Sequence, residues 1–359
     1  MHCLRILAIN PGSTSTKIAV FANEQPLFQA VVSHQADELK SFARVTEQYE
    51  YRLGLVKAAL LENDILPSAL DAVVGRGGAL GPIPGGTYLV DDDLLQGLYN
   101  SNVEHASNLG GIMAYNLAQE LGIPAFIVDP VSVDEMIPEA KLSGLPQIPR
   151  WSLGHALNMK AVARKAAAEM GKKYHELNLI VAHLGSGVSV TPHLRGKMVD
   201  VNNANNEGPF SPERAGGVPA GGLVKLCYSG KYTEQEMIDL LTKSGGIYAY
   251  LGTKDSRVVE ERAQNGDAEA ALVLKAFVHQ VAKEIGAMAA VLDGKVDRIL
   301  ITGGMAHSQF ITTEINKKVS FIAPVMVFPG EEELEALALG ALRVLRQEEK
   351  PARYGDVRR

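Results

Sequence analysis

One sequence pattern occurs twice in the chain, in two variants. The first is LRILAINPGSTSTKIAVFANEQPL, residues 4–27, and the second is NLIVAHLGSGVSVTPHLRGKMV, residues 178–199. Each consists of an apolar strand, an Asn or His, one further residue, Gly-Ser, a second strand and a polar turn. The glycines of the two turns, Gly12 and Gly185, lie 173 residues apart, roughly half of the chain. This spacing indicates two duplicated domains, although two unrelated hairpins with glycine turns would share the same pattern.

Strand and helix patterns alternate around these hairpins. Further strands are predicted at 71–76, 124–129 and 297–304, and helices at 44–63, 107–121, 151–170, 267–292 and 332–347. The polar tail at 350–359 is expected to be loose. Such alternation predicts α/β layers, as opposed to a β-sandwich or a helix bundle.

The composition excludes several classes of protein. The chain has 359 residues, of which 46% are apolar and 21% charged, so it is long enough for about two domains and is not a disordered chain. A net charge of −6 gives no basic surplus for nucleic acid or an anionic membrane. Two cysteines, Cys3 and Cys227, cannot form a disulfide framework and fit a cytoplasmic protein. We expect neither a signal peptide nor a membrane span.

Both hairpin turns have the composition of anion sites. Residues 10–17, NPGSTSTK, combine hydroxyl and amide side chains with a glycine turn, whose N–H groups can bind phosphate, and with the cation of Lys17. The stretch has no Walker A frame, and an ordinary polar turn can have the same composition. In HLGSG, residues 183–187, two glycines flank a serine, which would let the backbone approach a phosphate closely.

Strand ends and loops supply the remaining candidates. Gly303 and Gly304 follow a predicted strand and leave room for a ring or a ribose. Arg76 ends another strand and Arg214 lies in the irregular loop GPFSPERAGGVP, where a guanidinium can bind carboxylate or phosphate. Asp129 ends the strand PAFIVD, the place where open α/β sheets bind their ligands.

Three consecutive glutamates, 331–333, open the last predicted helix, where acidic residues also serve as ordinary capping groups. No Cys/His spacing indicates zinc, and no G-x-S-x-G motif indicates a hydrolase. Together, the phosphate turns, strand-end acids and loop arginines are the parts that phosphoryl transfer requires.

The order of the motifs NPGSTSTK, AHLGSG and ITGG resembles the acetate and sugar kinase/actin superfamily. Residues 155–164, HALNMKAVAR, and 200–219, DVNNANNEGPFSPERAGGVP, are similar to the butyrate kinase branch of its acetokinase family. The resemblance runs from residue 4 to about 345. It implies two duplicated actin-like (ribonuclease H-like) domains with a central cleft. The first domain would comprise 1–149 plus 333–359, and the second, 150–332, would carry the nucleotide site.

The resemblance also implies a role for each candidate residue. The implied catalytic residues are Arg76, which grips the substrate carboxylate, Asp129, near the metal, and His155 and Arg214, at the transferred phosphoryl group. The implied nucleotide-binding residues are Asn10, Ser13, Ser15, Lys17, His183, Gly185, Gly187, Gly303 and Gly304. Mg²⁺ would be held by Asp129 and by Glu332 or Glu333, the register within the three glutamates being open.

The implied activity is a reversible, ATP- and Mg²⁺-dependent phosphorylation of butyrate or a branched short-chain acid, in a cytoplasmic homodimer or larger oligomer. Gly77, Gly78 and Gly154 stand where relatives carry larger side chains, which predicts room for a longer acyl tail. A preference for acetate or propionate and a sugar kinase of the same superfamily are the alternatives. A chaperone-like ATPase switch is the non-enzymatic alternative.

Overall fold

The structure, a computed structural model, describes residues 3–357 and packs into two compact units. The first unit consists of two segments, the residues up to Asp134 and the residues from Glu332 onward. The second unit is Glu135–Glu331. Glu135 belongs to the second unit because its carboxylate pairs with Lys160 at 2.8 Å. The predicted domain boundaries, after residues 149 and 332, stay a prediction. No helix within residues 3–357 is both long enough and apolar enough to cross a membrane.

The strands and α-helices are numbered in chain order. The strands are β1 (Arg5–Pro11), β2 (Ser15–Ala22), β3 (Gln25–Ser33), β4 (Ala72–Arg76), β5 (Thr87–Leu89), β6 (Ala125–Val128), β7 (Asn178–Leu184), β8 (Val188–Leu194), β9 (Lys197–Met198), β10 (Arg298–Gly303) and β11 (Val325–Pro329). The helices are α1 (Ala36–Leu39), α2 (Tyr49–Glu62), α3 (Asp92–Tyr99), α4 (Asn108–Leu121), α5 (Ala156–Glu169), α6 (Ala220–Cys227), α7 (Glu234–Thr242), α8 (Gly246–Leu251), α9 (Ser256–Gln264), α10 (Ala268–Val291), α11 (Gln309–Val319), α12 (Glu333–Leu345) and α13 (Tyr354–Val357).

Each unit contains one mixed sheet, and the two sheets share a topology. The strand order is β3-β2-β1-β4-β6-β5 in the first unit and β11-β10-β7-β8-β9 in the second. In the first sheet β1 is antiparallel to β2 and parallel to β4, and in the second β7 is antiparallel to β8 and parallel to β10. The run β3-β2-β1-β4-β6 therefore matches β9-β8-β7-β10-β11 in order and direction. This match confirms the predicted α/β class and the predicted duplication.

Burial explains which strands lie at the centre. The sequences of β1 and β7 are almost continuously apolar, and nearly every residue of both strands is buried, as in strands that are covered on both faces. The strand β3 alternates between exposed and half-buried residues, as expected at a sheet edge. Helix α12 packs closely on the first sheet at Gly340, where a Cβ would overlap the side chain of Val128.

Two predicted helix starts are wrong. The helix predicted at 151–170 begins only at Ala156, because His155 has non-helical dihedral angles (φ −88°, ψ 53°) and its ring bonds elsewhere. The helix predicted at 44–63 opens with a 3₁₀ turn, Val45–Gln48, before α2 begins. The strands predicted at 71–76, 124–129 and 297–304 are confirmed as β4, β6 and β10.

The expectation of a loose tail is wrong for residues 350–357. Tyr354 is 4% exposed and belongs to the core of the first unit, where its hydroxyl donates to Leu80 O at 2.8 Å. Ala352 also forms a bridge with Tyr88, next to this core. A single tyrosine in a polar tail carries no periodic signal, so the sequence could not show this packing. Residues 358 and 359 lie outside the described residues.

Candidate active site

The first hairpin turn lies between β1 and β2. Gly12 N–H donates to Ser15 O at 2.7 Å and closes the turn. Ser13 and Lys17 are exposed and Ser15 is half-buried. Within residues 3–357, no hydrogen bond uses the N–H of Ser13 or Thr14 as its donor. Two adjacent unpaired amides at a glycine turn fit an anionic ligand such as a nucleotide phosphate.

Arg76 already holds a carboxylate. Its guanidinium forms an ion pair with Glu333, at the start of α12. Asn10 Nδ2 donates to the other carboxylate oxygen of Glu333 at 2.6 Å. The ends of β1 and β4 thus bring together three predicted site residues that are far apart in the sequence. The contact shows that the Arg76 guanidinium can bind a carboxylate at this sheet edge.

Asp129 directly follows β6. Its neighbour Val128 pairs with Arg76 in the sheet, so Asp129 and Arg76 lie at the same sheet edge. Asp129 is 2% exposed and has a positive φ of 37°, which is rare for residues other than glycine and is frequent at functional sites. Two hydrogen bonds hold it to Gly86: Gly86 N–H donates to Oδ1 at 2.8 Å and Asp129 N–H donates to Gly86 O at 3.0 Å.

The acidic side chains fit a partial Mg²⁺ ligand set. Among residues 3–357, no group of three or more His, Cys, Asp or Glu side chains is placed to enclose a metal ion. Mg²⁺ in kinases usually binds one or two carboxylates and takes its other ligands from water and phosphate. The first unit holds Asp129 and Glu333 together with Glu332, the N-cap residue of α12, whereas Glu331 belongs to the second unit.

Two histidine rings stack in the second unit. The centroids of His155 and His183 are 3.8 Å apart and their planes differ by 11°. The Nδ1 of His155 lies 2.9 Å from Ser189 Oγ, and that of His183 lies 2.9 Å from Asn158 Oδ1. Nε2 of His183 lies 3.0 Å from Glu331 Oε1 at an angle that forms no hydrogen bond. Ser189 and Asn158 therefore fix the orientation of both rings.

Arg214 lies over the second hairpin turn. A Cβ at Gly187 would come within 2.6 Å of Arg214 Nη1, so this close approach requires glycine. Nη1 donates to Ala204 O at 3.3 Å, and no carboxylate within residues 3–357 forms an ion pair with this guanidinium. Burial lowers the pKa of Arg214. A half-buried guanidinium that no carboxylate binds directly can serve an anionic ligand.

The two glycines after β10 differ in their surroundings. Gly303 has a φ of 91°, and a Cβ there would overlap the backbone of Leu184. A Cβ at Gly304 would have no neighbour within 4 Å. The structure therefore requires glycine at 303 and leaves open space at 304, as the predicted adenosine site would need.

The expectation that glycines open an acyl pocket is wrong for Gly77 and Gly78. A Cβ at Gly77 would come within 2.5 Å of Pro130, and one at Gly78 would overlap Asn108. A Cβ at Gly154 would have protein neighbours at 3.2 Å. Neighbouring residues already fill the Cβ positions at Gly77 and Gly78, so these two glycines give no extra room to a substrate, whereas at Gly154 a small shift of the neighbours would admit a Cβ.

Sequence reasoning missed several residues around the predicted site. Asn158 lies three residues after His155 on α5, a spacing that could have indicated its role. Partial desolvation of the His105 ring, with a smaller contribution from the cation of Arg76, lowers the pKa of this histidine. Arg52, described below, gave no signal because its contacts join segments that are 39 and 40 residues apart.

Residues 147–325 match the model of the acetokinase family, so this part of the chain is acetokinase-like. The fold is similar to that of an acetate kinase from Porphyromonas gingivalis, with 19% identity, 95% of this chain and 100% of that chain covered, and a TM-score of 0.78. A propionate kinase from Francisella tularensis has 21% identity, coverages of 94% and 98%, and a TM-score of 0.74. A ROK hexokinase from Thermus thermophilus has 14% identity, coverages of 96% and 99%, and a TM-score of 0.52. These likenesses confirm the predicted actin-like duplicated fold.

Proposed function

We propose, from the match of residues 147–325 to the model of the acetokinase family, that the chain is a short-chain fatty acid kinase that transfers the terminal phosphoryl group of ATP to butyrate or a similar acid. The observation that carries the proposal is the carboxylate of Glu333 bound to Arg76. A guanidinium at a sheet edge that accepts one carboxylate is suited to orient a carboxylate substrate. The acetate and propionate kinases of similar fold support the same acceptor group.

The reaction forms a bond between a carboxylate oxygen and the γ-phosphorus, and it breaks the bond from that phosphorus to the bridging oxygen of ADP. The acid needs no general base because a carboxyl group is already ionised near pH 7. The main obstacle is the approach of one anion to another. Charge neutralisation and alignment must therefore supply most of the rate enhancement.

Each cationic group has a distinct task in this reaction. Arg76 binds and aligns the acid. Arg214 and His155 neutralise charge on the oxygens of the transferring phosphoryl group. The unpaired amides of Ser13 and Thr14 bind phosphate oxygens. Mg²⁺, held through Asp129 and Glu333 or Glu332, would add positive charge at the ATP phosphates.

The second hairpin and the glycines after β10 complete the nucleotide site. His183, Gly185 and Gly187 form the second phosphate turn, and the space beside Gly304 accommodates the nucleoside. Lys17 supplies an exposed cation near the first turn.

We infer a cytoplasmic homodimer or larger oligomer from the resemblance to the acetokinase family. Light scattering after size-exclusion chromatography tests this oligomeric state.

The acid that the enzyme prefers is the finer part of the proposal. Residues 155–164 and 200–219 favour butyrate or a branched acid over acetate and propionate. Each additional CH₂ buried in a pocket contributes about 0.8 kcal/mol, roughly a fourfold gain in kcat/KM. The test compares kcat/KM for acids of two to five carbons at saturating ATP. We expect the highest kcat/KM for butyrate or isobutyrate. A highest kcat/KM for acetate or propionate would contradict the preference for butyrate and support the alternative of an acetate or propionate kinase.

A further inference from the structure

Arg52 is the largest fully buried side chain of the described residues. It lies on α2 and is 1% exposed. Its Nη1 donates to Gly12 O at 2.7 Å and its Nη2 donates to Ser13 O at 3.0 Å. Nε and Nη2 also donate to Gln48 Oε1, at 3.1 and 2.8 Å. The arginine thus joins helix α2 to the turn of the first hairpin.

No carboxylate within residues 3–357 pairs with Arg52. A guanidinium buried without a counter-ion is costly because it loses its hydration. The buried cation of Lys160, by comparison, has an acidic partner in Glu135 at 2.8 Å. Arg52 binds only neutral acceptors, the two turn carbonyls and the Gln48 side chain, so no neighbouring carboxylate neutralises its charge.

The two carbonyls that Arg52 holds determine where the next two amides point. In a trans peptide the C=O of one residue and the N–H of the next point in opposite directions. When Gly12 O and Ser13 O are drawn toward Arg52, the N–H groups of Ser13 and Thr14 are turned away from it. Neither of these two amides has a hydrogen-bond partner within residues 3–357. His34 N–H binds the following carbonyl, Thr14 O, at 2.9 Å.

We propose that Arg52 is a positioning residue for nucleotide binding: its fork holds the carbonyls of Gly12 and Ser13 away from the phosphates and presents the amides of Ser13 and Thr14 to them. The buried charge of Arg52 adds attraction for the phosphates from behind the turn. The inference rests on the proposed function, since it assigns the bound anion as the phosphates of ATP or ADP.

The test replaces Arg52 with lysine, which keeps the charge but cannot hold two carbonyls with a planar fork. We expect the KM for ATP and the Kd for ADP, measured by titration calorimetry, to rise about tenfold or more, while the KM for the acid stays within about twofold. The matched control is Arg262→Lys, which removes a fork that binds Leu251 O and Asp267. This control should change neither nucleotide constant.

A second variant covers the case in which Arg52→Lys does not fold. Gln48→Leu removes the acceptor that orients the guanidinium and leaves the arginine in place, so the KM for ATP should rise severalfold. If Arg52→Lys folds, an unchanged Kd for ADP in this variant would overturn the inference. If it does not fold, an unchanged Kd for ADP in Gln48→Leu would do so. A wild-type protein that binds ADP but phosphorylates no acid would contradict the proposed function. The role of Arg52 in ADP binding would still be decided by the Kd values of the variants.

Discussion

The two hairpin turns have the same place in two duplicated sheets but obtain their positive charge in different ways. In the first unit, Arg52 lies buried behind the turn and binds its carbonyls. In the second unit, Arg214 lies directly over Gly187, and two stacked histidines lie beside the turn. A buried arginine cannot touch a ligand and acts on it through the backbone that it holds and through its charge, whereas an arginine over the turn can touch the ligand itself.

The duplicated units therefore share the backbone path at the turn and not its chemistry. The first turn is rich in hydroxyl groups and offers amides, which suits binding of phosphates that do not react. The second offers a guanidinium and imidazoles, which suits neutralisation of charge in a transition state. The first turn should therefore control nucleotide affinity, and the second should control the rate of transfer.

The largest effect is expected for Arg214→Ala. Loss of a cation that stabilises transition-state charge should lower kcat by about 10²- to 10³-fold and change the KM for ATP and for the acid much less. Steady-state kinetics in both substrates provide the measurement. Arg257→Ala, which removes an arginine side chain that is 89% exposed, is the control and should leave kcat unchanged. A normal kcat in the Arg214 variant would remove this residue from the chemistry.

Acid should weaken the first hairpin through His34. Its Nε2 lies 2.8 Å from Thr16 Oγ1, and burial, with a smaller contribution from the Arg52 cation, lowers its pKa from 6.5 to about 4. Below pH 6.5 the unfolded chain takes up a proton that the folded protein resists. The stabilisation is therefore complete above pH 6.5 and is lost as the pH falls toward 4, by about 3 kcal/mol.

Urea unfolding measured at several values between pH 7 and pH 4 tests this dependence. The free energy of unfolding should fall with decreasing pH, and His34→Gln should make the fall shallower. His193, whose pKa burial also lowers well below 6.5, adds to the same trend in the second unit. An identical slope in the wild type and the His34 variant would contradict the assignment to His34.

A methyl group should affect the two turns unequally. Gly187→Ala places a Cβ within 2.6 Å of the Arg214 guanidinium, so that side chain must move and kcat should fall about tenfold. Gly12→Ala places a Cβ 3.3 Å from Ser15 O, which requires only a small shift. We expect a change in kcat below about twofold for this matched variant. Equal losses of kcat in both would show that the turns do not differ as proposed.

The smallest expected effect is a gain in stability on α2. A Cβ at Gly54 would have no neighbour within 4 Å, and alanine is favoured over glycine inside a helix by about 1 kcal/mol. Gly54→Ala should raise the free energy of unfolding by that amount and leave the KM for ATP unchanged. A changed KM would mean that the stability of α2, and not the Arg52 fork two residues away, governs the first turn.

The hairpins and the fold class could be predicted because alternating apolar residues and glycine turns are local signals. The start of α5 could not, since His155 leaves the helix to bond Ser189, 34 residues away. Glycine also misled the prediction of the acyl pocket: the sequence shows that side chains are missing at Gly77 and Gly78 but not that Pro130 and Asn108 fill their space. Long-range contacts of this kind have no local pattern.

The candidate site was predictable at the level of motifs. Asn10, Arg76 and Glu333 were each singled out by a strand end or a helix start, and the structure places them in contact. The partners of the three glutamates could not be predicted from the sequence, because glutamates two residues apart contact different side chains: Glu331 lies at His183 and Glu333 at Arg76. Arg52 has no motif at all, since an arginine in an amphipathic helix usually faces solvent.

The most direct test of a carboxylate kinase is to identify its product. The wild-type protein is incubated with ATP, Mg²⁺ and butyrate in the presence of hydroxylamine, which converts an acyl phosphate to a coloured hydroxamate. We predict butyryl hydroxamate in a one-to-one ratio with ADP, and no phosphorylation of glucose or other sugars. Release of ADP without hydroxamate from any acid of two to five carbons, or a sugar phosphate in its place, would contradict transfer to a carboxylate.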